Sequence, residues 1–364
     1  MLARFTLRTA SFGVALLSFA AARTQTADAQ SSTRCARTDG SVENWHEQRS
    51  GRDVRWRAHW SGDDCSIDLR ATGDVRFNRD FTDIASLGGG SLEITEVQGE
   101  TTRRMTMRSD NGRLVRSWTV NSRTQPWDDD AQRWLADLLI ELDRVTAVGV
   151  DYRFPALLAK GPGAVVDEAQ QMQGDYARSV YLRRLVDSVP LSDANYQRVV
   201  VIAGHDMHSD YERSRILRAI ADRTTFASAS MRAAYLDVVG DMKSDYERSL
   251  VLQEIVTKTP LSRDVGQGAI RAAGSFSSDY ERSRVLLAAI DNKALQLDDA
   301  IPILETVTKS NSDYEKSRVL LAVAHRWTLT GESRKAYLRA ADTIHSDYEN
   351  RRVLSALVTQ EARR

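Results

Sequence analysis

The chain has 364 residues with 50 basic and 50 acidic side chains, so it lacks the basic excess of a general nucleic-acid or polyanion binder. Hydrophobic residues make up 42%, enough to bury a core and too many for a disordered chain. No Gly-x-Ser-x-Gly, phosphate-binding loop or Gly-x-Gly-x-x-Gly occurs, so no motif names a reaction or a cofactor.

Residues 1–29 read as a secretory signal. Arg4 and Arg8 precede an apolar stretch over 12–20, and Ala27-Asp28-Ala29 offers small residues to a signal peptidase. That stretch is well short of the roughly 20 residues that span a bilayer. Cleavage before Gln30 and a periplasmic or secreted location are therefore expected, with no membrane span afterwards. Only two cysteines exist, Cys35 and Cys65, both in the exported part. In an oxidising compartment a disulfide between them is expected, worth about 3 kcal/mol by chain entropy. Two buried thiols are the alternative, and two thiols alone would leave tetrahedral zinc half-coordinated.

Residues 30–127 read as a β-rich unit. Val54, Trp56, Ala58 and Trp60 alternate on one strand face, and Cys65, Ile67, Leu69 and Ala71 on the next. Further strands are expected near 73–78, 91–97, 101–108 and 114–120, separated by Gly88-Gly89-Gly90, Gly99 and Asp110-Asn111-Gly112. The three glycines read as a flexible turn rather than a ligand cradle. Five of the seven Trp lie at or before Trp127, as suits a small core filled by large side chains.

The period changes after Pro126-Trp127. Asp128-Asp129-Asp130 places negative charge at a helix start, and Trp134, Leu135, Leu138, Leu139, Leu142 and Val145 follow at helical spacing. This bridging region, 128–163, is expected to cover the first helical repeat with Trp134, Leu135 and Leu138. Gly161-Pro162-Gly163 marks its end.

Residues 164–364 repeat. Ser209-Asp210-Tyr211-Glu212-Arg213-Ser214 recurs from Ser244, Ser278, Ser312 and Ser346, with a degenerate copy from Gly174, at a period of 34 or 35 residues. Six copies at so steady a period define stacked supersecondary units. Ser followed three residues later by Glu is the capping box, so each motif is expected to start a helix whose Ser and Glu satisfy each other's backbone N–H groups. A second helix fills the period, for example over 297–307 or 332–344. Val189-Pro190-Leu191-Ser192 and Thr259-Pro260-Leu261-Ser262 separate the two. The expected fold class is thus α+β: a small antiparallel β unit followed by an α-solenoid of about six helical hairpins. The tetratricopeptide pattern is missing from the first helix, and a HEAT-like hairpin fits better.

The motif, together with Gly73-Asp74-Val75-Arg76-Phe77-Asn78 and Gly90-Ser91-Leu92-Glu93-Ile94, resembles the exported C-terminal region of some bacterial membrane metallopeptidases of the beta-lactam-sensor type. The resemblance covers most of the mature chain and implies sensing or binding, not proteolysis. His46-Glu47-Gln48-Arg49-Ser50 has Ser where a zincin helix needs its second His.

On a helical wheel Tyr280 falls beside Leu286, Leu287 and Ile290, whereas Glu281 and Arg284 face away and Asp279 and Arg282 border the apolar arc. Charges recurring at such positions should be paired. The expected arrangement is a structural ladder in which Asp of one repeat meets Arg of its neighbour. Its members are Asp210, Tyr211, Arg213, Asp245, Tyr246, Arg248, Asp279, Tyr280, Arg282, Asp313, Tyr314 and Lys316. The sharper alternative is that the Arg and Tyr side chains line a groove for an acidic or peptide ligand. His205 and His208 have metal-pair spacing, but Gly240 and Lys243 stand at the equivalent positions one repeat on, so no metal site is expected. These observations favour an exported, non-enzymatic, monomeric scaffold or sensor-like protein that binds a protein or peptide. The alternative is an envelope enzyme or regulator acting on peptide or glycan near Trp118, Trp127 and Trp134.

Overall fold

The structure is a computed structural model that describes residues 41–43, 48–50, 53–61, 65–110, 112–224, 226, 228–258 and 261–361. Residues 1–29, where a signal sequence is expected, Cys35, His46-Glu47 and Thr259-Pro260 lie outside the described residues. The strands are β1 (Ser41–Glu43), β2 (Gln48–Ser50), β3 (Asp53–Ser61), β4 (Cys65–Thr72), β5 (Asp74–Phe77), β6 (Ile84–Gly88), β7 (Ser91–Gln98), β8 (Thr101–Asp110), β9 (Arg113–Val120) and β10 (Arg123–Gln125). Eight form an antiparallel sheet in the order β1-β3-β4-β7-β8-β9-β10, with β2 also on β3, while β5 and β6 form a separate hairpin. The alternation read from the sequence becomes a one-sided sheet. Ala58, Trp60, Ile67, Leu69, Ala71, Leu92, Ile94, Met105, Met107 and Trp118 are buried, and Arg57, Arg70 and Arg104 of the other face are exposed. The three-glycine turn brings two backbones together: a Cβ on Gly90 would lie 2.2 Å from the Thr72 carbonyl oxygen.

Fourteen helices follow among the described residues. The first are α1 (Asp129–Thr146), α2 (Val150–Leu158), α3 (Pro162–Gln171), α4 (Asp175–Ser188), α5 (Asp193–His205), α6 (Asp210–Arg223) and α7 (Ala229–Asp241). The rest are α8 (Asp245–Val256), α9 (Arg263–Ala273), α10 (Asp279–Asp291), α11 (Ala300–Val307), α12 (Asp313–Arg326), α13 (Gly331–Ala341) and α14 (Asp347–Glu361). The helix expected over 297–307 is a 3-10 turn, Leu297–Asp299, running into α11. From α3 onward the helices alternate between two layers. The motif helices α4, α6, α8, α10, α12 and α14 pack side by side, and α3, α5, α7, α9, α11 and α13 form the second row. This is the expected antiparallel sheet followed by helical repeats, with one continuous core along the helices and another in the β unit.

Helix α1 corrects one expectation. Ala131, Trp134, Leu135, Leu138, Leu139 and Leu142 belong to the sheet's core, not to the face of the first hairpin. The reason is a polar anchor: Trp134 donates its indole N–H to buried Glu96 at 2.7 Å, and Arg103 pairs with the same carboxylate at 3.1 Å. Trp118 packs against Trp134 with ring centroids 4.3 Å apart and the ring planes tilted by 44°. The C-terminal end of α1 instead reaches the repeats through Asp143. This fully buried carboxylate accepts from the Gly149 backbone at 2.6 Å, Arg153 at 2.7 Å and the Tyr181 hydroxyl of α4 at 2.6 Å. At the boundary marked by Gly161-Pro162-Gly163, Pro162 opens α3, where a missing N–H costs nothing.

Candidate functional site

Each motif begins a helix, and its Ser oxygen accepts from the Glu N–H three residues on: Glu212, Glu247, Glu281 and Glu315 at 3.3 Å, Glu349 at 3.4 Å. The reciprocal half of the expected capping box is absent. The motif Ser N–H is taken by the Asp of the preceding repeat, and the motif Glu turns to the preceding repeat's Ser. Thus Ser214, Ser249, Ser283 and Ser317 donate to Glu247, Glu281, Glu315 and Glu349. Glu281, expected to face away, is buried for this reason.

The Asp–Arg ladder also differs from expectation. Asp210, Asp245, Asp279 and Asp313 pair through Oδ1 with Arg213, Arg248, Arg282 and Lys316 of their own motifs, not of a neighbour. What crosses between repeats is Oδ2. Asp175 accepts from the N–H groups of His208 and Ser209, and Asp210 from Lys243 and Ser244. Asp245 accepts from Ser277 and Ser278, Asp279 from Asn311 and Ser312, and Asp313 from His345 and Ser346, all at 2.6–2.9 Å. Burial opposes the charge of Asp279 and Asp313, but the two N–H groups and the neighbouring cation outweigh it and hold both carboxyls below the usual range.

The motif cation closes the loops on either side. Arg178 and Arg213 donate to the last carbonyls of α3 and α5, and Arg248 to Val239 of α7 at 3.1 Å. Towards the next repeat, Arg282 reaches Ser310 at 3.0 Å and Lys316 reaches the Thr343 carbonyl at 2.6 Å. Carbonyls in the last turn of a helix have no partner within the helix, and the motif cation supplies donors to them. The Asp, Glu, Arg and Ser of the motif are therefore committed to stacking.

Tyr is not. The six tyrosines, expected on the apolar side, are between 48% (Tyr176) and 67% (Tyr348) exposed, and among the described residues no hydrogen bond uses their hydroxyls. Four carry an Arg over the ring at 5.4–5.7 Å: Arg215 on Tyr211, Arg284 on Tyr280, Arg318 on Tyr314 and Arg352 on Tyr348. Each Arg is held by the motif Glu at 2.8–3.2 Å, so Arg284 is paired rather than free. These clamps escaped the wheel, although their i, i+3 and i, i+4 spacing from Glu and Tyr is legible. At the matching position α8 has Leu250. Between α6 and α8 a groove of about 540 Å3 is lined by Tyr211, Arg215, Ala219, Tyr246, Leu250 and Glu254.

Elsewhere the chemistry is spent internally. Glu168, near Asp143, is opposed by burial but held low by hydrogen bonds from Arg144 and Arg153. Burial pushes the Asp143 carboxyl up despite Arg153, Tyr181 and Gly149. His205 and His208 are exposed, and among the described residues no group of three His, Cys, Asp or Glu could hold a metal ion. No helix among them is long and apolar enough to cross a membrane. Compared with family models, curated proteins and solved structures, the chain matches none.

Proposed function

We propose that the mature chain is an exported, non-enzymatic binding protein that engages a protein or peptide partner along the tyrosine row of its motif helices. The observation that carries this reading is the pattern of variation among the copies. Ser becomes Gly174, Glu becomes Ala177, Arg becomes Lys316 and Asn350, and the final Ser becomes Arg351, so four of the five stacking positions drift and only Asp, which latches one repeat to the next, is kept beside Tyr. Tyr stands in all six copies although it is exposed and takes no part in the stacking ladder. Exposed aromatic side chains flanked by Arg are the side chains that anchor protein interfaces. The signal-like N-terminus and the resemblance to exported sensor regions support an envelope setting, in which Cys35 and Cys65 form a disulfide.

Capture from envelope extract with the immobilised mature chain tests the reading. Wild type should retain a partner that a Tyr211→Ala/Tyr246→Ala/Tyr280→Ala variant loses. Equal capture by both would refute the row as the binding surface.

A further inference from the structure

We infer that the tyrosine row is a cradle for an extended, proline-rich segment in the polyproline II conformation, one turn of the segment seated per repeat. The inference rests on the reading of the row as a partner surface and adds the chemistry of the partner. Spacing is the first argument. The motif helices pack directly against one another, and neighbouring helices lie about 8–10 Å apart. Tyrosines at one motif position therefore repeat with about that step. A polyproline II turn is three residues at about 3.1 Å each, or about 9.3 Å. An α-helix repeats every 5.4 Å or so and one face of a β-strand about every 6.6 Å, and neither keeps step with the row. Six tyrosines span five steps, about 45 Å, which is the length of about 15 residues of polyproline II.

Chemistry and charge are the second. A polyproline II backbone makes no internal hydrogen bonds, so its carbonyls need donors. The row supplies exposed phenols whose hydroxyls have no partner among the described residues, and the partly exposed guanidinium groups of Arg215, Arg284, Arg318 and Arg352. Aromatic faces and the apolar side chain of Leu250, which lines the same groove as Tyr211 and Tyr246, suit pyrrolidine rings, as in other aromatic-lined grooves that read such segments. Each Arg is neutralised by its own Glu, so the row complements a segment of low charge and gives a polyanion no net attraction.

The test is fluorescence anisotropy of the mature chain with labelled (Pro-Pro-Ala)n peptides of increasing length, beside a Gly-Ser peptide of equal length. Affinity should rise at least about tenfold between six and 15 residues as successive turns engage. The triple tyrosine variant should weaken the 15-residue peptide at least about tenfold with an unchanged circular dichroism melt. No peptide binding, or equal binding by the variant, would overturn the inference. If the variant still loses its captured partner while no peptide binds, only the partner chemistry is wrong. Binding of a neutral oligosaccharide in place of the peptide, lost in the same variant, would replace the segment with a glycan.

Discussion

Replacing Asp245 with Ala removes the latch between two repeats. Its Oδ2 accepts from Ser277 at 2.6 Å and Ser278 at 2.8 Å, and its Oδ1 pairs with Arg248 at 3.3 Å. A hydrogen bond to a charged group contributes about 1.5–3 kcal/mol net, so two of them set a loss of about 3–6 kcal/mol. The ion pair is mostly buried, the Asp245 side chain being 16% exposed, so its loss adds to this by leaving the Arg248 guanidinium buried without its counter-charge. The chain contains its own control. Asp347 occupies the same motif position in α14, is exposed, and among the described residues no following loop donates to it. Asp347→Ala should stay within about 0.5 kcal/mol of wild type. Urea unfolding followed by circular dichroism measures both, and amide exchange should show the Ser277 and Ser278 N–H groups opening in the first variant only. Equal losses at Asp245 and Asp347 would refute the latch.

Asp143→Ala should cost about 3–5 kcal/mol, because it strands Arg153 and Tyr181 in the interior; a change below 1 kcal/mol or so in the same unfolding assay would remove the network from the account. The depressed carboxyls of Asp279 and Asp313 give a pH dependence with a defined sign. Their contribution is fully present above the unfolded carboxyl value of about 3.9 and is lost as pH falls through the lower folded values. A melting curve against pH should therefore drop below about pH 4, and less steeply in an Asp279→Asn/Asp313→Asn variant. Thiol labelling of unreduced mature protein should find no reactive Cys, and two labelled thiols would exclude the Cys35–Cys65 bridge.

The repeat and its helices were legible in the sequence because capping residues act locally and the period of 34 or 35 residues is preserved over six copies. The partners of the motif were not. Asp245 binds backbone N–H groups 32 and 33 residues away, and backbone groups leave no trace in residue identity. The side facing the core was misread for a definite reason. Placing Tyr280 beside Leu286, Leu287 and Ile290 overlooked Val285 and Ala289, which lie at about 140° and 180° from it at 100° per residue. Both are fully buried, and they turn the core face opposite the tyrosine. Helix α1 was misassigned because helical spacing shows that Trp134 and Leu138 are buried without saying against what. The Trp134–Glu96 bond that seats them joins residues 38 apart.

The central claim is that the motif divides its labour, Asp holding the stack and Tyr left free for a partner. The unfolding free energy of the Tyr211→Ala/Tyr246→Ala/Tyr280→Ala variant tests it most directly. Exposed rings whose only described partners are surface Arg clamps should cost no more than about 0.5 kcal/mol each, leaving the urea midpoint and slope close to wild type. A loss as large as that of Asp245→Ala would contradict the claim, because the tyrosines would then be part of the structure they are held to leave.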